Sequence, residues 1–85
     1  MAHNTHLTLH EGEHIAARIE RGRFLSRISI RNKDNICSAT VARNQTEWGA
    51  GKIWDLFMAA APRDISFPDA VNFFESHGIR MTVTG

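Results

Sequence analysis

Eighty-five residues bound one domain, 1–85, that can bury only roughly 60–65% of its unfolded surface, so a deep catalytic cleft is not expected. Apolar residues make up 42% and charged residues 22%, an ordinary globular balance that argues against disorder, and the one cysteine, Cys37, excludes an internal disulfide. The net charge of +1 conceals an uneven spread: residues 15–43 hold Arg18, Arg21, Arg23, Arg27, Arg31, Lys33 and Arg43 against Glu20 and Asp34, which speaks to partners rather than to fold.

Leu7 and Leu9 alternate with Thr8 and His10, and Ile15, Ala17 and Ile19 alternate likewise after Glu11-Gly12-Glu13. Period-two patterns predict half-buried strands. A three-residue loop pairs Leu9 with Ile15 and Leu7 with Ala17 and so brings the apolar side chains to one face. A one-residue slip reverses every side chain, so this is the expected register. Arg21-Gly22 predicts the next turn, pairing Ile19 with Phe24, Ala17 with Ser26 and Ile15 with Ile28, with Gly22 supplying the positive φ. The third strand runs through Phe24, Ile28 and Ile30 to the turn cluster Asn32-Lys33-Asp34-Asn35. A fourth strand follows from Ile36 to Val41. Cys37, Ala39 and Val41 make its better inward set and leave Ile36 exposed, although its facing stays open.

Helical spacing begins near Gly49, where Ala50, Ile53, Trp54, Phe57, Met58 and Ala61 share one face. Thr46 is a candidate N-cap and Pro62 ends the run. Ser66 caps a second helix, with Pro68 and Asp69 in its first turn, Ala70, Phe73, Phe74 and His77 on its apolar face, and Gly78 as the stop. Ile79, Met81 and Val83 then alternate as a last strand. The order ββββααβ predicts an α+β fold: an antiparallel sheet of four to five strands with two helices packed on one face.

In this register the other sheet face carries His6, His10, His14, Arg18, Glu20, Arg23, Leu25, Arg27, Ser29 and Arg31, with Glu20 facing Arg23 across the turn. Such a basic plane suits an acidic protein surface or phosphates. A plainer reading competes with it: sheet exteriors are polar, and arginine discourages edge aggregation. Few aromatics are left over for base stacking, because the chain has no tyrosine and most phenylalanines fit the core.

His10-Glu11-Gly12-Glu13-His14 matches H-E-x-x-H and resembles the zincin metalloprotease signature over those five residues. The resemblance implies zinc held by His10 and His14, with Glu11 activating a bound water. Gly12 and the polar flanks read instead as a hairpin, and no Gly-x-x-His extension follows His14. In the expected register His10 and His14 are cross-strand neighbours, a weak candidate metal pair. Gly49-Ala50-Gly51-Lys52 lacks the spacing of a phosphate loop. Cys37 reads as a packing residue, and Trp48 as a core-edge residue or an exposed anchor.

With no catalytic set in view, the expected function is a small non-catalytic protein-binding module rather than an enzyme. It would dock an acidic partner through Arg18, Arg23, Arg27, Arg31 and Lys33. Its size fits the inhibitors and adaptors of phages and mobile elements, including those directed against host defence. The second reading is a nucleic-acid-binding protein or small nuclease-type toxin, using the same arginines on phosphate and His10 or His14 as acid–base groups. The third is a metal-dependent hydrolase working through His10, Glu11 and His14. No cofactor is expected. A polar start and the lack of ~20 consecutive apolar residues predict a cytoplasmic protein without a membrane span. Exposed sheet edges admit a homodimer.

Overall fold

A computed structural model describes residues 6–42 and 49–84. Seven elements follow in order: β1 (His6–Glu11), β2 (Ala16–Arg21), β3 (Leu25–Arg31), β4 (Ile36–Ala42), α1 (Gly49–Ala60), α2 (Phe67–Ser76) and β5 (Thr82–Thr84). The strands form one antiparallel sheet whose spatial order, β1-β2-β3-β4-β5, repeats the chain order. The α+β class and the ββββααβ order are as the periodicities predict. Thr46 and Trp48 lie outside the described residues.

One face of the sheet is apolar. Ala17, Ile19, Ile28, Ile30, Cys37, Ala39 and Val41 are buried on it, so Cys37, Ala39 and Val41 do point inward while Ile36 is exposed. The helices pack on β2, β3 and β4 and on each other. Helix α1 buries Ala50, Ile53, Trp54 and Phe57, and α2 buries Ala70 and Phe74. Phe74 links the two, with ring centroids 4.8 Å from Phe57 and 6.0 Å from Trp54. Aromatic pairs at this spacing add about 0.5–1.5 kcal/mol each beyond area burial. Met58, expected on this face, is instead exposed. Pro62 stops α1. Ser66 then takes an extended backbone, and its Oγ accepts the Asp69 N–H at 3.3 Å, opening α2. Gly78 leaves the helix at φ 87°, a conformation that suits glycine. Ile79 and Met81 are buried before the short β5 begins.

Both predicted hairpin registers require correction. β1 and β2 are joined by the two-residue loop Glu13-His14, closed by Gly12 N–H donating to Ile15 O at 3.0 Å. Leu9 therefore opposes Arg18, Leu7 opposes Glu20, and His10 opposes Ala17. The slip is an odd number of residues, so Leu7 and Leu9 turn to the uncovered face and His6, Thr8 and His10 to the helix side. Two contacts hold the tip there. The Glu13 N–H donates to Arg63 O in the α1–α2 loop, and the His10 ring meets Phe57 edge-on at 5.2 Å. The helices are centred on the three middle strands, so an inward side chain on β1 is only partly covered. β2 and β3 are joined by Arg23-Phe24, closed by Gly22 N–H to Leu25 O at 2.9 Å. This displaces the partners by four residues, so Ile19 opposes Ile28 rather than Phe24, and Glu20 opposes Arg27 rather than Arg23. An even displacement keeps the faces, so the inward set survives except for Phe24, which the turn leaves 68% exposed.

Candidate functional site

The uncovered face is a grid that the strand registers define. Its central rows read Leu9–Arg18–Ser29–Ser38–Thr82 and Leu7–Glu20–Arg27–Thr40. The row beyond begins Glu11–Ala16–Arg31–Ile36. Arg18 stands directly opposite Ser29, and Arg27 and Arg31 flank Ser29 on its own strand. Side chains two apart on a strand share a face, so three guanidinium groups surround one hydroxyl. The small side chains of Ala16 and Ser29 leave a shallow depression of about 360 Å³ there, lined also by Arg18, Arg27, Arg31, Leu9 and Ile36.

The electrostatics of this cluster are one-sided. Arg18, Arg27 and Arg31 are exposed, and among the described residues none of them forms an ion pair. Arg21, on the opposite face of β2, pairs with Asp55 at 3.0 Å and ties that strand to α1. Glu20 is the cross-strand partner of Arg27 and Glu11 lies at the edge, so both signs occur on the face with the positive one at its centre.

Apolar side chains frame the arginines. Leu7 is 66%, Leu9 53%, Leu25 54% and Ile36 43% exposed, all on this face. Phe24 stands beside them at the β2–β3 turn, with the Arg23 guanidinium 5.3 Å from its ring centroid. Of the residues expected from sequence, Arg18, Arg27 and Arg31 are brought together, whereas Arg23 and Lys33 sit in the turns that bound the sheet. Leu7, Leu9 and Phe24 were expected in the core and instead join the surface. Closing the first hairpin at Glu13-His14, as the structure does, is what turns Leu7 and Leu9 outward, and no residue in the sequence singles out that turn.

The histidines are dispersed. His10 turns to the helix side, where its Nε2 has no hydrogen-bond partner. Glu11 faces the opposite side, and His14 is exposed in the turn. The expected cross-strand pairing of His10 with His14 is therefore corrected: His10 pairs with Ala17. Among the described residues no three His, Cys, Asp or Glu side chains come together as a metal set. A zincin needs both histidines on one helix face, and this segment is a strand and a turn. At that end of the sheet Glu11, Glu13, His14, Arg31, Lys33 and Arg63 line an open depression of about 500 Å³ with charges of both signs.

Cys37 is fully buried on the inward face, and burial, reinforced by the negative charge of Glu75, raises its thiol pKa above the ordinary range. That is a packing cysteine, not an activated one. No helix among the described residues is long and apolar enough to cross a membrane. Comparison of the chain with protein-family models, curated proteins and solved structures found no match.

Proposed function

We propose that the protein is a non-catalytic binding module that docks an acidic protein partner on the uncovered face of its sheet. One observation carries this reading: Arg18, Arg27 and Arg31 gather round Ser29 without an ion-pair partner, inside a frame of exposed Leu7, Leu9, Leu25 and Ile36. Guanidinium groups take carboxylates in bidentate geometry, and arginine beside large apolar side chains is the composition of interface hot spots. A partner matching this surface presents Asp or Glu side chains flanked by apolar ones. Inhibitors and adaptors of the kind small mobile elements carry work in this way, by occupying another protein's surface without chemistry of their own.

The test is capture of binding proteins from nuclease-treated lysate of the source cell, comparing wild type with Arg27→Glu/Arg31→Glu and with Lys52→Glu, on α1 at the helix side, as a control outside the face. A stoichiometric protein that Lys52→Glu retains and the double reversal loses is expected. A partner retained equally by all three proteins would refute the assignment of the surface.

A second reading has one observation in its favour. Phe24 is exposed beside Arg23, so the rim offers a ring on which a base could stack while the arginines meet phosphates. Binding to generic single strands that weakens steeply with salt, with no protein recovered, would favour it.

A further inference from the structure

β1 is an edge strand, with β2 as its only sheet neighbour among the described residues. Its first five residues, His6-Leu7-Thr8-Leu9-His10, read the same in both directions. We propose that β1 pairs antiparallel with β1 of a second copy about a two-fold axis at Thr8, giving a homodimer with one continuous ten-stranded sheet.

The backbone supports this register. Gly12 and Ile15 are a hydrogen-bonded pair. Antiparallel ladders alternate, so Gly12, His10, Thr8 and His6 direct their N–H and C=O toward β2, while Leu7, Leu9 and Glu11 direct theirs to the free edge. An axis at Thr8 sets Leu7 opposite Leu9 of the second copy, and both have free backbone groups. Each such pair exchanges two main-chain hydrogen bonds, and symmetry forms the pair twice. In an isologous interface, where residue i meets j and j meets i, a palindromic strand meets like with like. Here that places leucine against leucine and joins four exposed leucines into one apolar patch.

The charges agree across the seam. One row of the uncovered face becomes Glu20–Leu7 followed by Leu9–Arg18 of the second copy, and its symmetry mate reads the reverse. Opposite signs therefore stand at the two ends of each row, and no like charges meet at the joint. The strand also lacks the features that usually protect an edge: no proline, no lysine and no bulge interrupts His6–Glu11. The dimer leaves Arg18, Arg27 and Arg31 uncovered but shares Leu7 and Leu9 with the frame of the docking face, so its tests read mass and cross-linking rather than partner binding.

Light scattering after size exclusion, with the full chain at tens to hundreds of micromolar, is the first test. A mass twice the 9.6 kDa monomer is expected, falling to one monomer in Leu7→Lys/Leu9→Lys. Those two leucines are more than half exposed, so the variant keeps the wild-type circular dichroism spectrum. Register is tested by cross-linking. Thr8 on the axis is a non-hydrogen-bonded pair with Cα atoms ~4.5 Å apart, within disulfide reach, so Thr8→Cys should oxidise to a covalent dimer. Leu9→Cys should not, because Leu9 and its symmetry mate are offset by two residues, with Cα atoms roughly 8–9 Å apart. Cys37 is fully buried and does not compete. A monomer at every concentration would overturn the proposal. So would a dimer that ignores the lysine pair or cross-links through Leu9→Cys but not Thr8→Cys.

Discussion

The facing of β1 decides which side chains form the candidate surface, and a pair of substitutions tests it directly. Leu9 is 53% exposed on the uncovered face, whereas Ile19, its neighbour across the sheet on the other face, is fully buried. Full burial of a leucine side chain stabilises by about 1.5–3 kcal/mol, so a side chain left half in water contributes about 1 kcal/mol. Leu9→Thr, which places a β-branched strand former there, should cost no more than that. Ile19→Ala removes buried methyl groups and leaves a cavity, at about 2–5 kcal/mol. Urea titrations followed by circular dichroism, at low micromolar protein and with m unchanged, give both values. If Leu9→Thr costs as much as Ile19→Ala, Leu9 belongs to the core. The hairpin register would then be shifted by an odd number of residues, and the leucine frame around the arginines would not exist.

The contact between the hairpin tip and the α1–α2 loop is open to a single methyl group. A Cβ on Gly12 would stand 2.8 Å from Arg63 O, so strand and loop must part. Gly12→Ala should cost about 1–3 kcal/mol. At ~4–8 °C per kcal/mol for a domain of this size, calorimetry should find a clear fall in Tm, and an unchanged Tm would show that the tip is not held there. Cys37 predicts an alkaline limb of stability. Its raised thiol pKa means that the unfolded chain ionises first. The contribution is intact below the ordinary thiol range and is lost as pH rises through the raised one. Between neutral and alkaline pH, wild type should lose more stability than Cys37→Ala, and parallel profiles would contradict the assigned burial.

The helical half of the chain was legible because its signals are local and repeated. Ser66, Pro68 and Gly78 mark the ends of α2, and the i, i+3, i+4 spacing of Ala50, Ile53, Trp54 and Phe57 names the buried side of α1. Strand existence was legible for the same reason. Register was not, because it depends on which residues a turn spends. Glu13-His14 and Arg23-Phe24 close the hairpins although Gly12 and Gly22 invite earlier turns, the second by two residues. An even error in the second hairpin left the faces intact, which is why Arg18, Arg27 and Arg31 were found. An odd error in the first exchanged two leucines for three histidines and hid half of the candidate surface. Maximising apolar coincidence misled there, because it assumes that helices cover the whole sheet. They pack on β2, β3 and β4, so the edge strand is free to turn its leucines outward.

The strand order that repeats the chain order bears on how the molecule acquires its handedness. Four strands joined by short turns each pair with their chain neighbours, so the sheet order by itself does not say which face the helices cover. A bare meander has two faces, and α1 and α2 could settle on either, giving folds of opposite hand. The choice rests on the contrast between isoleucines on one side and guanidinium groups on the other. A charge trapped beneath a helix would be left without water or partner. Arg18, Arg27 and Arg31 therefore act before any ligand arrives: they close one side of the sheet to the chain's own helices, and so leave that side open to something else.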